Sequence, residues 1–331
     1  MKKVAQPFLA VRLDAQPMAV LLLLLFAASL STAQSQEPTP PIRVAVNRVN
    51  VGVTVTDSSR HFVEGLRRED FHVFDNGVEQ PVTDFLPIEE PAQLVLLIES
   101  GPAVLFLAKN HLFAADALLT SISPADRVAI ATYSRSPQLL LNFTPNKAEA
   151  RAALQSINFG NGFADLNLAS SLASTIDWLA PFPGKKTIVL LSTGFDTSPP
   201  ENLQTIQNKL LTSDVRILAV SLSSDFRQTE KRKKLSAQDR SNRATVKEGF
   251  AEADRSLRAL SALTGGRVYF PVNPEEFTRA YNEIAQLVRH EYSLAFSPPA
   301  QDGQLHSLKV RVKDPKYQVD HRQAYLAPTA N

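Results

Sequence analysis

The sequence predicts an α/β fold: a parallel-sheet domain covered by helices and inserted in a small sandwich-like β domain that the N- and C-terminal segments build together. Three observations carry this. Continuous apolar runs, led by Leu94-Val95-Leu96-Leu97-Ile98, read as strands buried on both faces. Strand and helix candidates alternate from Gln93 to His290, the rhythm of a parallel sheet with helices on each side. Outside that span the pattern changes to alternating valines and short strands between Pro-, Gly- and Asp-bearing turns.

The 331 residues, 44% of them hydrophobic, supply the core of one large domain plus a smaller one. A net charge of +2, from 35 basic and 33 acidic residues, gives no case for nucleic-acid binding across the whole surface. The absence of cysteine excludes disulfides and a lipid-anchored lipoprotein form.

In chain order, residues 1–33 have the layout of a secretory signal peptide: Lys2, Lys3 and Arg12, then an apolar run from Ala19 to Leu30, then Ser31 and Ala33. The apolar core, Ala19 to Ala28 without a charge, is too short to span a hydrocarbon layer about 30 Å thick, so cleavage is expected after Ala33, with an uncleaved anchor as the alternative. Residues 34–41 form a polar, proline-bearing linker. An N-terminal β module follows over 42–92. Its first part, Ile42 to Asp57, alternates valine with other types, and Phe71 to Phe74, Asn76-Gly77 and Val78 to Phe85 form a hairpin pattern.

The α/β domain is placed at 93–290, with helices at Pro102–Ile122, Lys147–Ile157, Leu166–Leu179, Asn202–Leu211 and Pro274–Arg289. Strands are expected at Arg127–Tyr133, Thr187–Leu191, Val215–Leu222 and Arg267–Phe270. Residues 225–258 interrupt the rhythm with ten basic and six acidic side chains, including Lys231 to Lys234. This insertion is expected to be exposed. Its second half is helical, because Val246, Phe250, Leu257, Leu260 and Leu263 share a face before the stop at Gly265-Gly266. Residues 291–331 return to β character at Tyr292–Phe296, Leu308–Val312 and Gln323–Leu326. Too few strands remain there for an independent domain, so this segment is predicted to pair with 42–92.

Several fragments carry a family resemblance through their order and spacing: Val55-Thr56-Asp57, Val63 to Leu66, Asp70 to Gly77, Asp126 to Ala129, Thr187 to Ser192, Thr264 to Arg267 and Ala324 to Pro328. With these the chain resembles bacterial, typically acidobacterial, VWFA-related proteins. The resemblance implies a von Willebrand factor type A-like fold. Members of that wider family typically hold a divalent cation at the carboxyl ends of the strands, using Asp-x-Ser-x-Ser, a Thr and an Asp from three loops. Here Ile98 stands at the first Asp, Pro102 at the second Ser, Phe163 at the Thr and Thr193 at the last Asp. Only Ser100 is retained, so no metal and no cofactor are expected. Glu99, Asp165 and Asp196 lie beside the three loops. Their ordinary roles are solvated or helix-capping carboxylates, and the alternative is a metal site rebuilt from them.

Enzyme signatures are absent. The six histidines have no zinc-hydrolase spacing and read as surface residues, and neither nucleotide-binding glycine motif occurs; Gly160-Asn161-Gly162 reads as a turn. Leu190 to Gly194 lacks the first glycine of a serine-nucleophile elbow. Trp178 is expected in the core.

The reading that results is an exported, periplasmic or secreted, non-enzymatic protein that binds or scaffolds a protein or other macromolecule. Its expected recognition rim comprises Glu99, Ser100, Pro102, Phe163, Asp165, Thr193, Phe195 and Asp196. A hydrolase or metal-dependent binder using Glu99, Asp165 and Asp196 is the alternative.

Overall fold

A computed structural model describes residues 48–101, 108–159, 165–197, 201–223 and 237–329. Residues 1–47, including the expected signal peptide and linker, lie outside the described residues, as do Pro102, Gly160 to Phe163, and Lys231 to Lys234.

The central sheet has six strands: β5 (Ala92–Glu99), β6 (Arg127–Tyr133), β7 (Pro137–Thr144), β8 (Lys185–Ser192), β9 (Val215–Ser221) and β10 (Val268–Tyr269). Their spatial order is β7-β6-β5-β8-β9-β10, with every pairing parallel except that of β7 with β6. Counted from β5, this is the doubly wound order 3-2-1-4-5-6. The helices are α1 (Ala108–Ser121), α2 (Lys147–Gln155), α3 (Leu168–Leu179), α4 (Glu201–Thr212), α5 (Ala237–Leu263) and α6 (Pro274–Arg289).

Strand periodicity of two sends alternate side chains to opposite faces. Leu94, Leu96 and Ile98 therefore join residues of α1, α2 and α6 in one apolar layer. Val95 and Leu97 join residues of α3, α4 and α5 in the other. Trp178 sits at the margin of the second layer, stacked on Phe143 with ring centroids 5.1 Å apart. The helix expected across the charged insertion is present as α5, with Phe250, Leu257 and Leu260 buried.

The eight remaining strands are β1 (Val49–Thr56), β2 (Phe71–Asp75), β3 (Val78–Gln80), β4 (Asp84–Leu86), β11 (Tyr292–Phe296), β12 (Leu305–Val312), β13 (Gln318–Asp320) and β14 (Ala324–Leu326). They form two sheets, β13-β1-β11-β4 and β14-β12-β2-β3, so each sheet takes strands from both ends of the chain. Val51, Val53, Val73, Leu294, Phe296 and Val310 fill the space between them. The α/β domain is thus an insertion in a discontinuous sandwich.

Two local expectations need correction. The second arm of the Asn76-Gly77 hairpin is not one strand from Val78 to Phe85: Pro81 lacks an amide for the ladder, the chain breaks, and β4 joins the opposite sheet. The turn itself forms as expected, with Asn76 and Gly77 both at positive φ, 46° and 84°. Nor are the histidines all on the surface, because His290, His306 and His321 are buried. Each has hydrogen-bond partners that spacing cannot reveal. His290 meets Glu64 and Gln286, His306 meets Asp75 and Asp302, and His321 meets the Val310 amide and Arg322 carbonyl.

Sandwich and sheet are joined by buried polar contacts. Arg216 on β9 and Glu291, just before β11, form an ion pair at 2.8 Å with both side chains only 4% exposed. Arg216 Nε also donates to the Gly265 carbonyl at 3.1 Å. Arg322 bridges the same junction, donating to the carbonyls of Ser213 and Asn50 at 2.8 and 2.6 Å. Replacing Glu291 with Gln leaves the buried Arg216 charge with only the more distant, part-exposed Asp320 carboxylate at 4.0 Å. We expect this to cost about 3–5 kcal/mol in chemical denaturation; a loss below about 1 kcal/mol would show that the pair does not hold the junction.

His306 supplies a pH-dependent contribution. Burial lowers its pKa, but hydrogen bonds to Asp75 and Asp302 outweigh this and leave it above the ordinary 6.5. A raised folded-state pKa stabilises fully below the unfolded value and is lost as pH rises through the folded value. Denaturation midpoints should therefore fall as pH is raised from about 6.5, and His306→Gln should flatten that part of the profile.

Candidate functional site

The carboxyl ends of β5, β6 and β8 meet where an open parallel sheet places its ligand site. The last residue of β5 is Glu99, whose side chain lies on the same sheet face as Val95 and Leu97 and is 0% exposed. Thr193, following β8, donates its amide to Glu99 Oε2 at 2.8 Å, and its hydroxyl lies 2.8 and 3.0 Å from the two carboxyl oxygens. Ser192 Oγ reaches Oε2 at 3.2 Å and Tyr133 Oη at 3.3 Å. Tyr133 Oη also donates to Ser192 Oγ at 2.7 Å. One carboxyl group therefore ties together the ends of three strands.

Glu99 is neither solvated nor a helix cap, contrary to the ordinary role expected of it. Burial raises its pKa, although the donors from Thr193, Ser192 and Tyr133 pull the other way. The Tyr133 hydroxyl is likewise held well above its usual pKa by burial and then by Glu99. The arrangement accommodates a neutral carboxylic acid: Oε1 has Thr193 Oγ1 as its neighbour at 3.0 Å, while Oε2 collects the other donors.

The other rim candidates are placed differently. Ser100 is half-buried and donates from Oγ to the Tyr133 carbonyl at 3.1 Å. Thr193 is buried. Asp165 is exposed and paired with Arg135 at 3.2 Å. Asp196 accepts the amide of Ala169 at 2.8 Å in the first turn of α3, a capping role. Phe195 is half-buried against Phe250 of α5, with ring centroids 5.1 Å apart. The loop carrying it turns at Gly194, where φ is 81° and a Cβ atom would lie 2.6 Å from the Ala253 carbonyl oxygen. Only a glycine fits that approach.

Sequence reasoning did not identify Tyr133, Ser192, or the pair Ser221 and Ser223, whose hydroxyls lie 2.8 Å apart, with Ser223 donating to Asp254 at 3.0 Å. Their common signal is a hydroxyl at or just past the end of a buried strand.

The resemblance implies a divalent cation here, and the described residues do not fit one. Ile98 is directed into the apolar layer beside Leu96, and the Thr193 hydroxyl is taken up by the Glu99 carboxyl group. The oxygens of Glu99 are already taken up by protein donors. Glu99, Asp165 and Asp196 each serve a separate local role, and among the described residues no three His, Cys, Asp or Glu side chains are grouped to hold a metal.

With this geometry established, the chain is set beside known proteins. No protein-family model matches the chain, and no curated protein does. Among solved structures, a von Willebrand factor type A protein from Catenulispora acidiphila is similar at 10% identity and TM-score 0.45, covering 86% of this chain and 75% of its own. The fold is von Willebrand factor type A-like. The six-strand order with one antiparallel edge, covered by helices on both faces, carries that statement. An aerotolerance-related membrane protein from Bacteroides fragilis NCTC 9343 is similar at 12% identity and TM-score 0.44, covering 60% of this chain and 98% of its own. The vWF domain of the type V pili tip protein Mfa5 from Porphyromonas gingivalis matches at 12% identity and TM-score 0.42, covering 60% and 95%.

If Glu99 acts as a neutral hydrogen-bonding post, Glu99→Gln should cost no more than about 1 kcal/mol, whereas Glu99→Ala strands several buried donors and should cost at least about 2 kcal/mol. Equal losses for the two variants in urea denaturation would show that the charge, not the hydrogen bonding, matters.

Proposed function

We propose that this chain is an exported, non-enzymatic protein that holds a partner protein or other macromolecule at the carboxyl-end rim of its α/β domain without a metal ion. The observation that carries the reading is the burial of Glu99 beneath Thr193, Ser192 and Tyr133. A post of this kind fixes the rim in the way a bound cation would, leaving recognition to the side chains above it.

Ser100, Phe195, Asp196 and Asp165 would form the described part of the contact surface, with Pro102 and Phe163 from the neighbouring loops. Glu99 and Thr193 support it from beneath. Such loops on a rigid sheet suit binding. The discontinuous sandwich, drawn from 42–92 and 291–331, would act as the base that presents the α/β domain. Export rests on the charge and apolar pattern of residues 1–33. No helix among the described residues is long and apolar enough to cross a membrane.

The test is recovery of the native partner from the exported fraction of the source organism, using wild type and a Phe195→Asp, Asp165→Arg variant. Co-purification that survives EDTA and is lost in the rim variant supports the reading. A partner retained by the variant, or released by EDTA, contradicts it. N-terminal sequencing of the exported protein should begin at Gln34.

Metal independence also has a direct readout. A cation bound at one hundred times its Kd adds about 2.7 kcal/mol to the folded state, so millimolar Mg²⁺ or Mn²⁺ should leave the melting temperature unchanged. A saturable, chelator-reversible rise of several degrees would restore the metal-binding alternative.

A further inference from the structure

We propose that the open edge of β12 is a docking site for an extended acidic segment of a partner protein, added as a further strand to the sandwich. This surface is separate from the carboxyl-end rim.

The backbone sets up the site. On one side β12 pairs with β2 along Leu308 to Val312. On the other side β14 covers only Leu305 to Ser307. Beyond that point the outward amides find substitutes: Leu308 donates to the Gln323 carbonyl at 2.8 Å, and Val310 to His321 Nε2 at 3.0 Å. The Val312 amide faces the same way by the two-residue alternation of a strand. No described strand lies opposite it, because β13, the next strand in the chain, belongs to the other sheet and pairs with β1. A groove of about 740 Å³ runs along this edge, lined among others by Lys309, Arg311, Tyr317, Val319, His321 and Gln323.

An edge that is strand-paired only as far as Ser307, and beyond it held by one loop carbonyl and one imidazole, is a template for strand addition, with main-chain hydrogen bonds supplying affinity and alternate side chains supplying specificity. On docking, a partner carbonyl replaces His321 as the acceptor for the Val310 amide. The side-chain alternation then defines the occupant. Val310 and Val312 face the sandwich interior, toward the shelf of Tyr317 and Val319, whereas Lys309 and Arg311 are exposed on the outer face. No carboxylate lines the groove among the described residues. A strand laid beside β12 therefore gains by placing Asp or Glu next to Lys309 and Arg311 and apolar residues between them. A second copy of this chain is disfavoured: antiparallel pairing of two β12 edges about Val310 sets Lys309 directly against Arg311, like charge against like.

A displayed library of random twelve-residue peptides, selected on the full chain, tests this. The comparison protein is a Lys309→Glu, Arg311→Glu variant; both positions are exposed, and an unchanged melting temperature confirms its fold. The expected result is enrichment of peptides with Asp or Glu at alternate positions and apolar residues between. These should bind wild type at least tenfold more tightly than the variant, and lose binding when the amides of one strand edge are N-methylated. Failure to enrich any peptide, equal binding to the variant, or binding that survives N-methylation on either edge would each overturn the proposal, the last by showing attraction through charge alone.

Discussion

The seat of the α/β domain on the sandwich depends on a charge pair that has left water. Arg216 enters the sheet at the second position of β9, and Glu291 stands where α6 has ended and the chain returns to the sandwich. Their contact is packed so closely that a Cβ atom at Gly52 of β1 would lie 3.0 Å from the Glu291 carboxylate. An arginine buried there needs its counter-ion and its carbonyl at Gly265, since a desolvated charge without partners is among the most costly features a fold can hold. The pair therefore permits one arrangement of sheet and sandwich and penalises others. Arg322, bonded to carbonyls on both sides, adds a second constraint of the same kind.

Much of this architecture is legible in the sequence. Period-two valines mark β1, continuous apolar runs mark β5, β8 and β9, and the face shared by Phe250, Leu257 and Leu260 marks α5. Two strands escaped. β7 carries Leu139, Leu140 and Leu141 in succession and leaves Leu139 48% exposed, so neither alternation nor burial announces it. β13 is three residues long, and only its pairing with β1 makes it a strand. Both take their identity from a neighbour distant in sequence or from an irregular, bulged ladder, which local periodicity does not encode.

The candidate site is legible in part for a similar reason. Ile98 and Thr193 show that carboxylates are missing from the positions the resemblance implies. That Glu99 turns inward follows from strand parity, once the register of β5 is known. Its partners Ser192 and Tyr133 come from β8 and β6, 93 and 34 residues away, and no motif spacing links them. Burial raises the pKa of this carboxyl group while the surrounding hydroxyls and the Thr193 amide oppose the shift, and it is these donors that let an acidic residue stay in the interior.

The discontinuity of the sandwich has a temporal consequence. β4 must wait for β11, about 200 residues later, before it has a partner, and β12 needs β14 nearly at the end of the described chain. During synthesis β1 and β4 therefore emerge with no strand to join, and the β2–β3 hairpin emerges without the β12 strand that completes its sheet. Long-range pairings of this kind close slowly, because a large loop must be ordered before any contact rewards it. The α/β insertion has its strand partners within its own span, so it can fold first and bring the two ends together. A ribosome that stalls before residue 291 leaves a finished sheet carrying two unpaired strands and an uncovered hairpin, a species exposed to proteases and to aggregation until the final segment arrives.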